Sequence, residues 1–344
     1  MFGTGTPSRR RTYAASALLA AVLMIGTGAP AYASKIAAAQ GPSVTESHPV
    51  NDRTVQLQVY SAAMRQNITV NVQRAADNSV PRPTLYLLNG GGGGEDEATW
   101  QRNTDALTFL GTKDVNVVQP VGGQWSYYTD WRAPDPRLGL YKWKTFLTEE
   151  LPPLIDSEFG TNGVNAIAGL SMSGTSALQL PIAKPGLYRA VAAYSGCAQI
   201  SDPVGQSFVN LAVQMWGGGN TVNMYGPPDD PMWAANDPYL HADKLRGLKL
   251  FLSSGTGVPG MYDVPGGQYV QQGPNGFVDQ VAGGSVIEAA ADWCTRNMRN
   301  RLDTLGIPAT YDFQPTGTHS WGYWQDALKA SWPVLAEGLD IPLG

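Results

Sequence analysis

The 344-residue chain predicts an α/β fold: a central, mostly parallel sheet flanked by helices on both faces. Three observations carry this. From about residue 84 to the end, short apolar runs alternate with amphipathic stretches of helical length. Those apolar runs are continuous, as strands buried on both faces require. The chain is 43% hydrophobic, shows no internal repeat and has no linker that splits it, so one sheet can serve one large domain.

The elements follow in order. Arg9, Arg10 and Arg11 precede an apolar stretch from Ala14 to Ile25, and Ala31-Tyr32-Ala33 supplies a small-x-small cleavage pattern. Residues 1–33 therefore read as a signal peptide, cut after Ala33, and the protein is expected to be secreted to the cell envelope. Ser8-Arg9-Arg10-Arg11 does not choose between general and twin-arginine export. The apolar run is short for a spanning helix of about 20 residues, and no later segment reaches that length, so no transmembrane segment is expected. Cleavage removes three positive charges and no negative one, which takes the formal net charge from −5 to −8.

Residues 34–50 are small and polar and read as a flexible N-terminal linker, leaving 51–344 as the folded domain. Val55–Tyr60 and Ile68–Val72 alternate apolar and polar residues, the pattern of two antiparallel edge strands. Thr84–Leu88 is a buried strand that runs into Asn89 and five glycines. A helix over 98–110, a strand over 115–118 and a helix over 143–159, in spite of Pro152 and Pro153, come next. Strands at 164–168, 190–194, 248–252 and 309–313 alternate with helices at 172–183, 285–305 and 322–339. Residues 205–240 are rich in Gly, Pro, Trp and Met with weak periodicity.

Composition excludes several functions. No basic stretch lies outside the extreme N-terminus, which argues against nucleic acid. His48, His241 and His319 are too scattered for a zinc site, and no Cys-x-x-Cys motif is present, so no metal is expected. The glycine run is not followed by Lys-Ser/Thr, so it is no phosphate loop, and no cofactor is implied. Cys197 and Cys294 form an even pair in an exported chain, which favours a disulfide over two buried thiols.

The sharpest local signal is Gly169-Leu170-Ser171-Met172-Ser173-Gly174. A buried strand runs into a small residue, then Ser171, then a helix, the order a nucleophile elbow needs; Ser173 replaces the usual second glycine. A helix N-cap serine is the plain alternative. In an α/β-hydrolase fold the acid follows the nucleophile and the histidine comes last. His319 sits just after the last strand, where the general base belongs, whereas His241 lies in the irregular region. The Met172 N–H, at the helix start, and the glycine loop after Leu88 are the expected oxyanion donors. Fold logic alone looks for the acid just after the strand 248–252, where Asp263 is the nearest carboxylate.

Blocks spread over residues 55–335 resemble the antigen 85 family of mycolyltransferases: Leu85-Tyr86-Leu87-Leu88-Asn89-Gly90, Pro120-Val121-Gly122-Gly123-Gln124, Thr129-Asp130-Trp131, Tyr141-Lys142-Trp143, Gly169-Leu170-Ser171-Met172, Asn236-Asp237-Pro238 and Gly317-Thr318-His319-Ser320-Trp321. The resemblance implies an α/β-hydrolase fold with a Ser171–Glu288–His319 triad, Glu288 standing where the family has its acid. It implies Gly91 as the second oxyanion donor. It also implies mycolyl transfer between trehalose esters, trehalose monomycolate to dimycolate, or onto arabinogalactan. Trehalose mycolates and cell-wall glycan are thus the expected partners. Asn89, Gly90, Ser320 and Trp321 are the expected sugar contacts, with core packing the alternative for Trp321. Asn89 replaces a family aspartate, and glycines stand where mycobacterial members carry an arginine, so the sugar contacts are expected to differ. The placement of Cys197 and Cys294 looks more like the corynebacterial branch. From composition, Phe208 and Leu211 are expected to cover an acyl chain. A secreted carboxylesterase and a non-catalytic adhesion homologue are the alternatives, and the oligomeric state is open.

Overall fold

The computed structural model describes residues 40–270 and 273–343. The signal peptide expected over 1–33 lies outside them. A nine-stranded sheet runs in the order β1-β2-β3-β5-β4-β6-β7-β8-β9. Its strands are β1 (Ser43–Pro49), β2 (Thr54–Ser61), β3 (Gln66–Gln73), β4 (Thr84–Leu88), β5 (Asn116–Val121), β6 (Asn165–Leu170), β7 (Ala190–Tyr194), β8 (Lys249–Ser254) and β9 (Thr310–Phe313). From β5 to β9 along the sheet every pairing is parallel, while β1, β2, β3 and β5 pair antiparallel.

Two expectations for the N-terminal part are corrected. Residues 43–49 are not linker but strand β1, which pairs with β2 from Ser43↔Tyr60 to Pro49↔Val55. The alternating strands β2 and β3 are therefore interior, and β1 is the edge. A polar, mostly exposed strand carries no hydrophobic pattern; its backbone bonds to β2 hold it in place.

Parallel strands need crossovers, and helices on both faces bury the sheet. The strand alternation shows it directly. Leu85 and Leu87 of β4 pack with Ala166 and Ala168 of β6 and with Trp324, Leu328 and Trp332 on one face. Tyr86 and Leu88 pack with Ile167, Leu178, Met298 and Leu302 on the other. The helices are α1 (Trp100–Asn103), α2 (Ala106–Leu110), α3 (Trp143–Thr145), α4 (Leu151–Phe159), α5 (Met172–Ala183), α6 (Pro203–Asn210), α7 (Thr221–Met224), α8 (Pro231–Ala235), α9 (Gly276–Asp279), α10 (Ser285–Leu305) and α11 (Trp321–Gly338).

Three π-helical turns interrupt these helices: Phe146–Glu150 between α3 and α4, Leu211–Trp216 after α6, and Gln280–Gly284 between α9 and α10. The first has a visible cause. Pro152 and Pro153 lack N–H groups and stand in the first turn of α4, and the Leu151 N–H reaches back five residues to the Phe146 carbonyl. The single helix expected over 143–159 is thus three joined pieces. The helix expected over 98–110 is likewise α1 and α2, broken at Thr104. The Gly/Pro-rich region 205–240 holds α6, α7 and α8, each begun by an Asp or Asn side chain that accepts a backbone N–H.

Candidate active site

Ser171 stands between β6 and α5 with φ 55° and ψ −124°, a backbone conformation that a residue with a Cβ rarely adopts. Its neighbours explain how the turn is held. A Cβ on Gly169 would lie 2.4 Å from the Ser173 carbonyl oxygen, so only glycine fits there. Ser173, the departure from the usual small-residue pattern, is fully buried. Its hydroxyl accepts the Leu170 N–H at 2.9 Å and lies 3.0 Å from the Leu170 carbonyl, so it stitches the turn together in place of a glycine. The Ser171 N–H in turn donates to Tyr194 O of β7 at 2.9 Å.

Three side chains from distant parts of the chain form one hydrogen-bonded row. His319 Nε2 is 2.8 Å from Ser171 Oγ, and His319 Nδ1 is 2.7 Å from Glu288 Oε2. A carboxylate only accepts, so Nδ1 carries the hydrogen and Nε2 is left to accept from the serine hydroxyl. Glu288 lies in the first turn of α10 and is 1% exposed. Its other oxygen accepts the Gly255 N–H at 2.6 Å and the Ser195 hydroxyl at 2.8 Å. Ser195 Oγ itself accepts the Trp324 indole N–H at 3.0 Å. The Trp324 ring stands edge-on to His319 with centroids 4.8 Å apart.

Both carboxylates left open by the sequence are now placed. Glu288 reaches His319. Asp263 instead accepts from the Gly260 N–H at 2.8 Å, Gln280 Nε2 at 2.7 Å, Tyr323 Oη at 2.6 Å and Thr318 Oγ1. It braces the loop that carries His319. Burial opposes ionisation of Asp263, but the hydrogen bonds from Thr318, Tyr323, Gln280 and Gly260 together hold its carboxyl below the ordinary range.

Two clefts meet at Ser171 and His319. One, of about 280 Å³, is lined by Trp125, Phe208, Leu211, Trp216 and Val286 together with Gly91 and Met172. The other, of about 220 Å³, is lined by Gly90, Gly91, Tyr269, Gln280, Ser320 and Trp321. Gly91 borders both, and a Cβ there would lie 2.5 Å from the Trp125 ring. Met172 begins α5, so its N–H has no carbonyl four residues back in the helix to bond.

Of the expected sugar contacts, Gly90, Ser320 and Trp321 line the second cleft. Ser320 Oγ is buried and unpartnered there. Trp321 lines that cleft and also packs edge-on against Trp100 and Trp324. Asn89 is a correction. It is 1% exposed and lines neither cleft; its Oδ1 accepts the Trp100 N–H at 3.4 Å, and its amide packs against Gly94. The side chain shapes the glycine loop from beneath.

Cys197 and Cys294 are bonded, with Cα atoms 5.0 Å apart and 97 residues between them in sequence. The bridge ties the loop after β7, which carries Ser195, to the helix that carries Glu288. Among the described residues no group of three His, Cys, Asp or Glu side chains is placed to hold a metal ion. No described helix is long and apolar enough to cross a membrane. Sequence reasoning missed Ser195, Gly255, Trp125, Tyr269 and Gln280. Only Trp125 carried a signal, its adjacency to the Gly122-Gly123-Gln124 block; Ser195, Gly255 and Tyr269 reach the site through loop geometry, and Gln280 through the π-helical turn it begins.

The Esterase family profile matches residues 61–335. The chain is 34% identical over 332 residues to diacylglycerol acyltransferase/mycolyltransferase Ag85A of Mycobacterium ulcerans, covering 92% of this chain and 91% of the relative. It is 35% identical to Ag85B of Mycobacterium avium, covering 81% of each. Among solved structures, Mycobacterium tuberculosis MPT51 (FbpC1) superposes with a TM-score of 0.68 at 26% identity, over 82% of this chain and 97% of that one. The Staphylococcus aureus serine hydrolase FphF, at 18% identity and a TM-score of 0.60 over 82% and 98%, shares the fold.

Proposed function

The chain belongs to the Ag85 family of acyltransferases/mycolyltransferases, and from that premise we propose that it moves a mycolyl group between trehalose esters, or onto a cell-wall glycan, through an acyl-enzyme on Ser171. One observation carries this most: an apolar cleft and a second, aromatic- and amide-lined cleft open onto the same serine hydroxyl. A substrate with a long acyl tail on one side of its ester and a sugar on the other fits that division.

The chemistry follows from the row of hydrogen bonds. His319 Nε2 takes the Ser171 proton as Oγ attacks the ester carbonyl, and Glu288 holds the imidazole tautomer and stabilises the imidazolium. Gly255 and Ser195 hold the Glu288 carboxylate in turn. The Gly91 and Met172 N–H groups receive the negative charge that develops on the carbonyl oxygen; losing one such donor typically costs about 10²–10³ in rate. The imidazolium returns its proton to the departing sugar oxygen. An acceptor hydroxyl then enters, gives its proton to His319 and attacks the acyl-enzyme. Phe208, Leu211 and Trp216 cover the acyl chain and keep water from the ester. The mature protein starts after Ala33 and acts at the cell envelope.

Incubation with trehalose monomycolate tests this. The expected outcome is trehalose dimycolate and free trehalose, with Ser171→Ala forming neither. Release of free mycolic acid without diester would instead assign a carboxylesterase. Failure of a fluorophosphonate to label Ser171 would assign a non-catalytic homologue.

A further inference from the structure

Backbone strain is concentrated beside the nucleophile. Among the described residues, seven that are not glycine have φ in the left-handed region, and five of them are Trp125, Tyr127, Tyr128, Ser171 and Ser195. Ser171 is the nucleophile, and Ser195 holds the carboxylate of the acid. The other three fall within four consecutive positions of the segment after β5, with φ of 57°, 53° and 46°. A bulky side chain seldom takes this conformation, which persists only where the surroundings over-determine it, and functional sites are where it gathers.

The contacts of this segment reach both oxyanion donors. The Trp125 N–H donates to the Gly91 carbonyl at 2.7 Å, and the Tyr127 N–H donates to the Met172 sulfur at 3.2 Å. The Tyr127 carbonyl accepts the Ser176 hydroxyl at 2.7 Å, which fixes the segment to α5. The Trp125 ring adds a second hold on Gly91. A Cβ on Gly91 would lie 2.5 Å from the six-membered end of the indole, and a Cβ on Gly217 would lie 2.5 Å from its five-membered end. The ring therefore fills the space between the glycine loop and the residue directly after the π-helical turn Leu211–Trp216. The far side of this clamp is itself fixed, since the Gly217 N–H donates to the Ala212 carbonyl at 3.0 Å.

Gly91 needs such a brace. It has no side chain to anchor it, and its loop is five glycines in a row. A backbone N–H stabilises an oxyanion only if it is already aimed when the charge develops, and a displacement of about 1 Å can cost about 10² in rate. We propose that Trp125 is a positioning residue of the oxyanion hole: its indole, wedged between Gly91 and Gly217, keeps the Gly91 N–H aimed at the ester oxygen. The left-handed backbone at Trp125 lets its N–H and its ring bear on Gly91 together. The inference rests on the acyl-enzyme reading of Ser171 and Gly91, and is indifferent to which acceptor takes the acyl group.

Trp125 also lines the apolar cleft, so the test has to separate positioning from contact with the acyl chain. p-Nitrophenyl acetate does this, because its acyl group is too short to depend on the cleft wall. Trp125→Ala is expected to lower kcat on this ester about tenfold with KM little changed, and Trp125→Phe to recover most of the loss. Gly217 lines neither cleft at Ser171, yet a methyl group there pushes on the indole. Gly217→Ala is therefore expected to lower kcat about threefold in the wild-type background and not at all in the Trp125→Ala background, the signature of two residues acting through one contact. Melting temperatures report that each variant is folded. An unchanged kcat on the acetate in Trp125→Ala, with only KM raised on long-chain esters, makes Trp125 a plain wall of the cleft and overturns the proposal. Losses that simply add in the double variant overturn it as well. A wild-type protein that turns over no ester overturns the acyl-enzyme reading and this inference with it, whereas wild-type turnover that all three single variants match overturns this inference alone.

Discussion

Asp263 shows how a carboxylate that fold logic alone would pick as the acid, and that the family resemblance passes over, can still matter. It is the nearest carboxylate after β8, yet its four hydrogen-bond donors leave it no contact with His319. It acts one residue away, by fixing Thr318. Its carboxyl is held below the ordinary value of 3.8. A depressed folded-state pKa contributes stability that is present above the unfolded value and lost as pH falls through the folded one. Asp263→Asn is therefore expected to lower the melting temperature by a constant amount from pH 7 to about pH 5. That gap should close below about pH 4, as the wild-type carboxyl protonates. Thermal melts across this range check it, and a gap independent of pH would mean that the ionised form gives no advantage. Glu288 differs in its partners. It faces the histidine, and every oxygen it presents is met by a donor, which is how a buried carboxylate is tolerated.

At the scale of elements, the site depends on three joints. The turn from β6 into α5 presents Ser171, the loop from β9 to α11 presents His319, and α10 presents Glu288. The third joint is the longest in sequence and carries the covalent tie. Cys294 lies on α10, and its bridge to Cys197 spans 97 residues. Removing a crosslink over a loop of this length costs about 2–5 kcal/mol, because the unfolded chain regains the freedom that the bond denied it. The double variant Cys197→Ala, Cys294→Ala is expected to unfold at a clearly lower denaturant midpoint. An unchanged midpoint would show that packing alone secures α10 against the loop after β7. The π-helical turn Gln280–Gly284 belongs to the same joint, since the Gly284 carbonyl accepts the His319 N–H at 3.3 Å. Such turns cluster at functional sites, and here one links the acid's helix to the histidine's loop.

Over the whole molecule, the sheet separates two helix layers and the site opens at the C-terminal ends of the parallel strands, where α/β sheets bind ligands. The apolar cleft is built from α6, the π-helical turn after it and the start of α10. Phe208→Ser with Leu211→Ser is expected to admit water and raise hydrolysis relative to transfer by about tenfold. The ratio of free acid to diester measures this, and an unchanged ratio counts against a covering role.

The strand-and-helix alternation, the elbow at Ser171 and the late histidine were legible because each is a local pattern, written in a few consecutive residues. Residues 43–49 were illegible because β1 is a strand through its backbone bonds to β2, not through a hydrophobic period. Tertiary structure alone decided that Asn89 is buried beneath the glycine loop and that Ser195 and Gly255 hold the acid; at His319 it seats Glu288, the carboxylate that the family resemblance implied and local fold logic did not. Apart from those of Asn89, which meets Gly94 and Trp100, these are contacts between residues far apart in the chain. They depend on where loops of irregular geometry end, and no short-range periodicity encodes that. The sequence thus determined which chemical groups this protein carries and on what frame. Packing decided which of them touch.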